Sequence, residues 1–164
     1  MSSNGCTPDV PDIEYLLVDF EMPVGQTGIV FVAALEARLM SWGPVFQTVA
    51  TLAAYRRAAS TLAHMALISG ATFEFMRQAI EFSTAQAGAF VGVSEATVQA
   101  WEAGTEPVPT NIWYLFADYV CAKDGREFCP YLTLPEQDFR ARRIRVYPDV
   151  PRTGTPQPPP DCPC

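Results

Sequence analysis

The sequence predicts a mainly α-helical chain: a helical bundle with an extended N-terminal arm, a short C-terminal β-strand and a Pro-rich tail. Three observations carry that expectation. Apolar residues rich in Ala, Leu and Met dominate positions 28–68 in a helical pattern. Gly43-Pro44 and Ser69-Gly70-Ala71-Thr72 cut that stretch into helix-sized pieces. Seven prolines fall between Pro148 and Cys164, a composition that builds no core and favours an extended path.

Residues 1–27 read as an extended acidic arm. Pro8, Pro11 and Pro23 punctuate it, Asp9, Asp12, Glu14, Asp19 and Glu21 charge it, and positions 13–20 read as a strand or ordered arm. Residues 28–69 read as apolar helices. The run Ile29-Val30-Phe31-Val32-Ala33-Ala34-Leu35 leads through Leu39, Met40 and Trp42 to the break at Gly43-Pro44. A second helix is expected over about 45–69, apolar on nearly every face and carrying only Arg56-Arg57, so its own fold or a partner must bury it. Residues 70–122 read as a further helical bundle. Ser69 to Thr72 offer a stop and a new N-cap, a third helix follows over 73–82, and Thr110 opens another whose Ile112, Leu115, Phe116, Tyr119 and Val120 keep helical spacing. Residues 123–147 read as a loop and a strand rich in arginine, Arg140, Arg142, Arg143 and Arg145, and 148–164 as the tail.

Between the third helix and Thr110 lies the segment Ser83-Thr84-Ala85-Gln86-Ala87-Gly88-Ala89-Phe90-Val91-Gly92-Val93-Ser94-Glu95-Ala96-Thr97-Val98-Gln99-Ala100-Trp101-Glu102-Ala103-Gly104. It resembles the lambda-repressor/Cro-type helix-turn-helix, and the likeness extends more weakly to the flanking helices, over about 72–121. Gly88 stands where that family places a small residue between two close helices, and Gly92 at its turn. Val93 and Val98 occupy its buried positions, Ser94 its N-cap, and Trp101-Glu102-x-Gly104 its helix ending. The resemblance implies a helical hairpin that could read DNA through Ser94, Glu95, Thr97 and Gln99. The contact positions depart from the family. Thr84 replaces a common phosphate-touching Gln, Ala100 and Ala103 donate nothing, and only Gln99 could read an adenine edge, with a weak contact from Thr97.

Electrostatics favours protein as the partner of that hairpin. Between Gln78 and Ala122 there is no Lys or Arg, while Glu81, Glu95, Glu102, Glu106 and Asp118 all lie in the window. Phosphate neutralisation supplies most of the affinity for nucleic acid. The chain has a formal net charge of −7, and Lys123 is its only lysine. A sequence-specific regulator of the lambda-repressor/Cro type stays as the alternative, with cations drawn from Arg56-Arg57 or the arginine strand. The plainer role for Arg140, Arg142, Arg143 and Arg145 is charge pairing with the acidic arm, within one chain or between neighbours.

At 164 residues, 49% apolar and 18% charged, the chain is one domain with extended ends and more apolar surface than a small core absorbs. That points to other copies of itself and other assembly proteins as partners. No charge-free run reaches the ~20 residues of a membrane-spanning helix, and Met1-Ser2-Ser3-Asn4-Gly5 carries no secretory signal, so synthesis in the cytoplasm and no membrane partner are expected. The five cysteines are Cys6, Cys121, Cys129, Cys162 and Cys164. Their spacings do not form a zinc clamp, and His64 reads as a packed core residue. Two readings stay open: reduced thiols, or interchain disulfides through Cys6, Cys162 and Cys164. No phosphate loop, Ser-His-Asp set or paired-carboxylate motif is present, so neither catalysis nor a cofactor is expected. The class that fits is a structural or adaptor subunit of a multi-subunit assembly, of which a phage virion protein of the head, neck or collar is one example by analogy.

Overall fold

A computed structural model describes residues 15–129 and 143–149. The order of elements is β1 (Tyr15–Pro23), β2 (Val30–Met40), β3 (Gly43–Phe46), α1 (Thr48–His64), α2 (Gly70–Ala79), α3 (Thr84–Val91), α4 (Glu95–Glu102), α5 (Thr110–Lys123) and β4 (Arg143–Arg145). The fold is therefore an α/β mixture, which corrects the expectation of a mainly α-helical bundle: five helices stand beside a four-stranded sheet.

The correction falls on residues 28–46. The run from Val30 to Leu35 is strand, because its Val and Phe side chains suit a pleated surface and a partner lies on each edge. Antiparallel β1 covers one edge of β2 along its whole length, pairing Tyr15 with Arg38 and Pro23 with Val30. The other edge is shared, β3 lying against Ala37 to Met40 and β4 running parallel to Val30–Val32. Alternation then appears in burial where it was hidden in composition. Phe31, Ala33, Leu35 and Ala37 are all buried on the inner face, with Met22 from β1 beside them. Gly43-Pro44, expected to break a helix, instead follows the two-residue hairpin loop Ser41-Trp42, and Pro44 sits in a short edge strand where its missing N–H is tolerated.

α1 begins at Thr48, after β3, and ends at His64. Its Ala50, Ala54 and Ala58 are spaced four apart and buried, which lets the helix lie close against its neighbours. α2 opens at Gly70, where the Ser69 hydroxyl accepts a hydrogen bond from the Thr72 N–H and the Thr72 hydroxyl accepts in turn from the Ser69 N–H. The third expected helix was placed three residues too late.

α2 joins the two halves of the molecule through aromatic residues two positions apart. Phe75 meets Phe31 of the sheet and Tyr55 of α1, each at 5.9 Å between ring centroids. Phe73 meets Phe116 of α5 at 4.6 Å and Trp101 of α4 at 5.6 Å. Trp113 is fully buried and donates its indole N–H to the hydroxyl of buried Thr72, so that polar atom is satisfied inside the core. Among the described residues no helix is long and apolar enough to cross a membrane.

The start of α2 lies against the last turn of α4 with no room to spare. A methyl group at Gly70 would sit 1.8 Å from the Trp101 carbonyl oxygen, a backbone atom that cannot rotate away. Gly70→Ala is expected to lower stability by about 3 kcal/mol through this overpacking. Gly125→Ala, at φ +70° but with nothing within 4 Å of the added carbon, should cost only about 1 kcal/mol. Urea unfolding of the two variants separates these costs, and equal losses would contradict the close approach.

Candidate functional site

The candidate site is the exposed side of the hairpin formed by α3, the turn at Gly92 and α4. Ser83 caps α3 by accepting from the Gln86 N–H, and the Gln86 side chain accepts in return from the Ser83 N–H. Gly92 takes the left-handed conformation at φ +79° and ends the helix. Gly88 packs against the turn so closely that a methyl group there would lie 2.8 Å from the Val93 carbonyl oxygen. Val98 and Trp101 hold α4 to the core, which leaves its opposite side to solvent.

The residues singled out in the sequence gather at the start of α4. Ser94 is the N-cap, its hydroxyl accepting from the Thr97 N–H at 3.2 Å and meeting the Thr97 hydroxyl at 2.9 Å. Glu95 stands in the first turn and accepts from the Thr84 hydroxyl at 2.6 Å and from the Gln99 amide at 3.4 Å. The one side chain able to read an adenine edge thus donates to a neighbouring carboxylate. That carboxylate also occupies the positive end of the helix, where a phosphate would otherwise be attracted.

Among the described residues, several cations that could offset this charge are engaged elsewhere. Arg77 closes α2 with a two-pronged pair to Glu102, Nε to Oε1 at 2.6 Å and Nη2 to Oε2 at 3.0 Å, and donates through Nη1 to the Phe82 carbonyl at 2.6 Å. Both side chains are nearly buried, at 11% and 12% exposure. Arg57 bonds Asp124 at 2.8 Å, Asp149 at 3.0 Å and the Tyr147 carbonyl at 3.1 Å, and Arg56 pairs with Glu81 at 3.5 Å. Lys123 lies 5.1 Å above the Tyr119 ring.

The arginine strand sits apart from the hairpin, at the sheet. Arg143 pairs with Glu21, and Arg145 makes two bonds of 3.1 Å to the Asp19 carboxylate. Both pairs reach across β2 on the outer face of the sheet, because β4 itself is hydrogen-bonded to β2 and not to β1. They bridge above Val32, which is only 2% exposed although it faces away from the helices. Arg140 and Arg142 lie outside the described residues, as do Cys6, Cys162 and Cys164.

Cys121 and His64 come together inside the fold, a proximity that their spacing did not announce. The thiol is 3.8 Å from His64 Nδ1, yet that nitrogen lies 2.7 Å from the Ser60 carbonyl and is committed to it. Burial pushes the Cys121 pKa up from 9.0 to about 11, against weaker lowering by the hydrogen bond to Ser60 and by Arg126. Cys121 is thus a protonated core thiol. Cys121 and Cys129 are both free, and among the described residues no cluster of His, Cys, Asp and Glu could hold a metal ion. The Arg77–Glu102 pair was missed because its partners are 25 positions apart. The available hint was that Arg77 is the last cation before the cation-free stretch.

No protein-family model, curated protein or solved structure matches this chain.

Two predictions follow from the buried groups. Glu102→Ala leaves Arg77 uncompensated and should cost about 3 kcal/mol in chemical denaturation, far more than an exposed pair. A loss below that of a surface pair would contradict the geometry. For Cys121, the folded pKa near 11 lies above the ordinary 9.0. The thiol's contribution is therefore complete below pH 9 and is lost as pH rises from 9 toward about 11. Stability measured across that window should fall less steeply in Cys121→Ala than in the natural chain, and identical slopes would refute the assignment.

Proposed function

We propose that this chain is a structural or adaptor subunit of a multi-subunit assembly, and that its helix-turn-helix face meets protein. The observation that supports this reading best is the state of the α4 face. Glu95 takes the place of a phosphate at the helix start, holds Thr84 and Gln99, and has no free cation beside it on α3 or α4. Arg77, the nearest cation in the sequence before the hairpin, is locked to Glu102.

Folds carry many functions, and a helical hairpin with capped ends is a compact mount for a protein contact. Phe90 and Leu115 are exposed large apolar side chains on α3 and α5 and supply contact area that nucleic acid would not use. The two ends of the sequence, rich in acid, proline and cysteine, lie outside the described residues, and in this reading they would serve contacts with neighbouring subunits. A phage head, neck or collar protein is the kind of virion component that fits this chemistry.

Titration against duplex DNA at low and moderate salt tests the reading. No saturable binding is expected at micromolar protein even at low salt. Nanomolar binding that weakens steeply with salt would instead establish a lambda-repressor/Cro-type regulator.

A further inference from the structure

We propose that β1 is the edge through which two copies of this chain join, pairing antiparallel about a two-fold axis near Leu17 to make one continuous eight-stranded sheet. The inference deepens the assembly reading, on which it rests, by naming the surface and the partner.

β1 is nine residues long and is hydrogen-bonded to β2 alone among the described strands. Alternate residues therefore direct their N–H and C=O groups to the opposite side, a template for another strand. Natural edge strands of this length are usually blunted by lysines, by a proline or bulge within the strand, or by outward charges. β1 has none of these where it matters. Pro23 is its last residue, and it contains no Lys or Arg. Asp19 and Glu21, its only charges, are neutralised on the outer face by Arg145 and Arg143. What remains at the other end is Tyr15, Leu16 and Leu17, which are 41%, 39% and 55% exposed. Three consecutive large apolar residues on an edge that no described strand pairs with call for cover.

The strand is self-complementary in one arrangement. A two-fold axis at Leu17 sets Leu17 opposite Leu17, Leu16 opposite Val18 and Tyr15 opposite Asp19. Leu16 and Val18 share the inner face, so the two copies' cores continue into each other, while the Tyr15 hydroxyl meets a carboxylate on the outer face. Asp19 and its symmetry mate stay four residues apart along the strand, roughly 13 Å, beyond the screening length in physiological salt. An axis at Asp19 would instead set the exposed Leu17 against Glu21 and Tyr15 against Pro23. The apolar match thus selects the register, and the interface is isologous, the form that closes a dimer.

The test uses the full chain under reducing conditions, so that disulfides make no contribution. Analytical ultracentrifugation should show a dimer at micromolar concentration. Leu17→Lys places two cations face to face at the axis and should weaken dimerisation by at least about tenfold. Leu39→Lys, at an equally exposed apolar residue away from the β1 edge, should leave the dimer intact. Circular dichroism of both variants shows whether either change disturbs the fold. Leu17→Cys, oxidised and then digested, should yield a peptide joined through position 17 of both copies. A chain that stays monomeric overturns the proposal. A dimer or larger oligomer that ignores Leu17→Lys and forms no 17-to-17 link overturns it too, while leaving the assembly reading standing. That reading fails on a different result, tight salt-dependent binding of DNA.

Discussion

The crossing of α2 over the last turn of α4 is the constraint on which the rest of the structure depends. Gly70 lets the α2 backbone reach the Trp101 carbonyl, and Arg77, two turns further on, grips Glu102 with both arms of its guanidinium. Between these two points α2 presents Phe73 to α4 and α5, and Phe75 to the sheet and α1. Together with α1, which packs against β2, α2 and α5, this short helix sets the position of the hairpin relative to the sheet. A buried ion pair is no large net source of stability, because desolvating both groups offsets most of their attraction. Its effect here is on geometry: with Glu102 fixed, α4 has one rotation, and that rotation turns Glu95 and Gln99 to solvent.

The same economy of charge governs the outer surfaces. On these surfaces an acidic chain with few cations places them where a specific carboxylate waits: Arg143 at Glu21 and Arg145 at Asp19. Exposed pairs of this kind contribute about 0–1 kcal/mol each. Their larger consequence is electrostatic, since they remove free positive charge that could have met phosphate and remove free negative charge that could have guarded the edge of β1. The hairpin thus loses attraction for nucleic acid, and the sheet edge loses repulsion between copies. Both consequences follow from internal neutralisation and accord with the proposed protein contacts.

The parts of the fold that were legible in the sequence are those specified locally. The N-cap at Ser94, the turn at Gly92 and the opening of α5 at Thr110 could be read from short patterns and from the likeness to a known hairpin, because each rests on hydrogen bonds or dihedral preferences within a few residues, whereas the start of α2 was read three residues late. The tight packing at Gly88 was legible only through the likeness to a known hairpin. β2 was not legible. Seven apolar residues in a row carry no period, so Ile29 to Leu35 could be written as a buried helix face or as a buried strand. The helix reading also took Gly43-Pro44 for a helix break, when it marks a hairpin edge.

What the amino-acid sequence determined alone was the chemistry: an acidic chain, a cation-free hairpin, helix-capping residues, and an arginine-rich segment and an acidic one far apart in the chain. These follow from residue identity and nearest neighbours. What only the tertiary structure decided was which of these groups meet. The sheet exists because β2 finds β1 on one edge and β3 and β4 on the other, and the ends of that pairing are over a hundred positions apart in the chain. Gly70 matters because Trp101 arrives above it, and Arg77 is unavailable because Glu102 does. Such contacts are set by the closure of distant segments over a shared core, and their cost and reward are invisible to any window of local sequence.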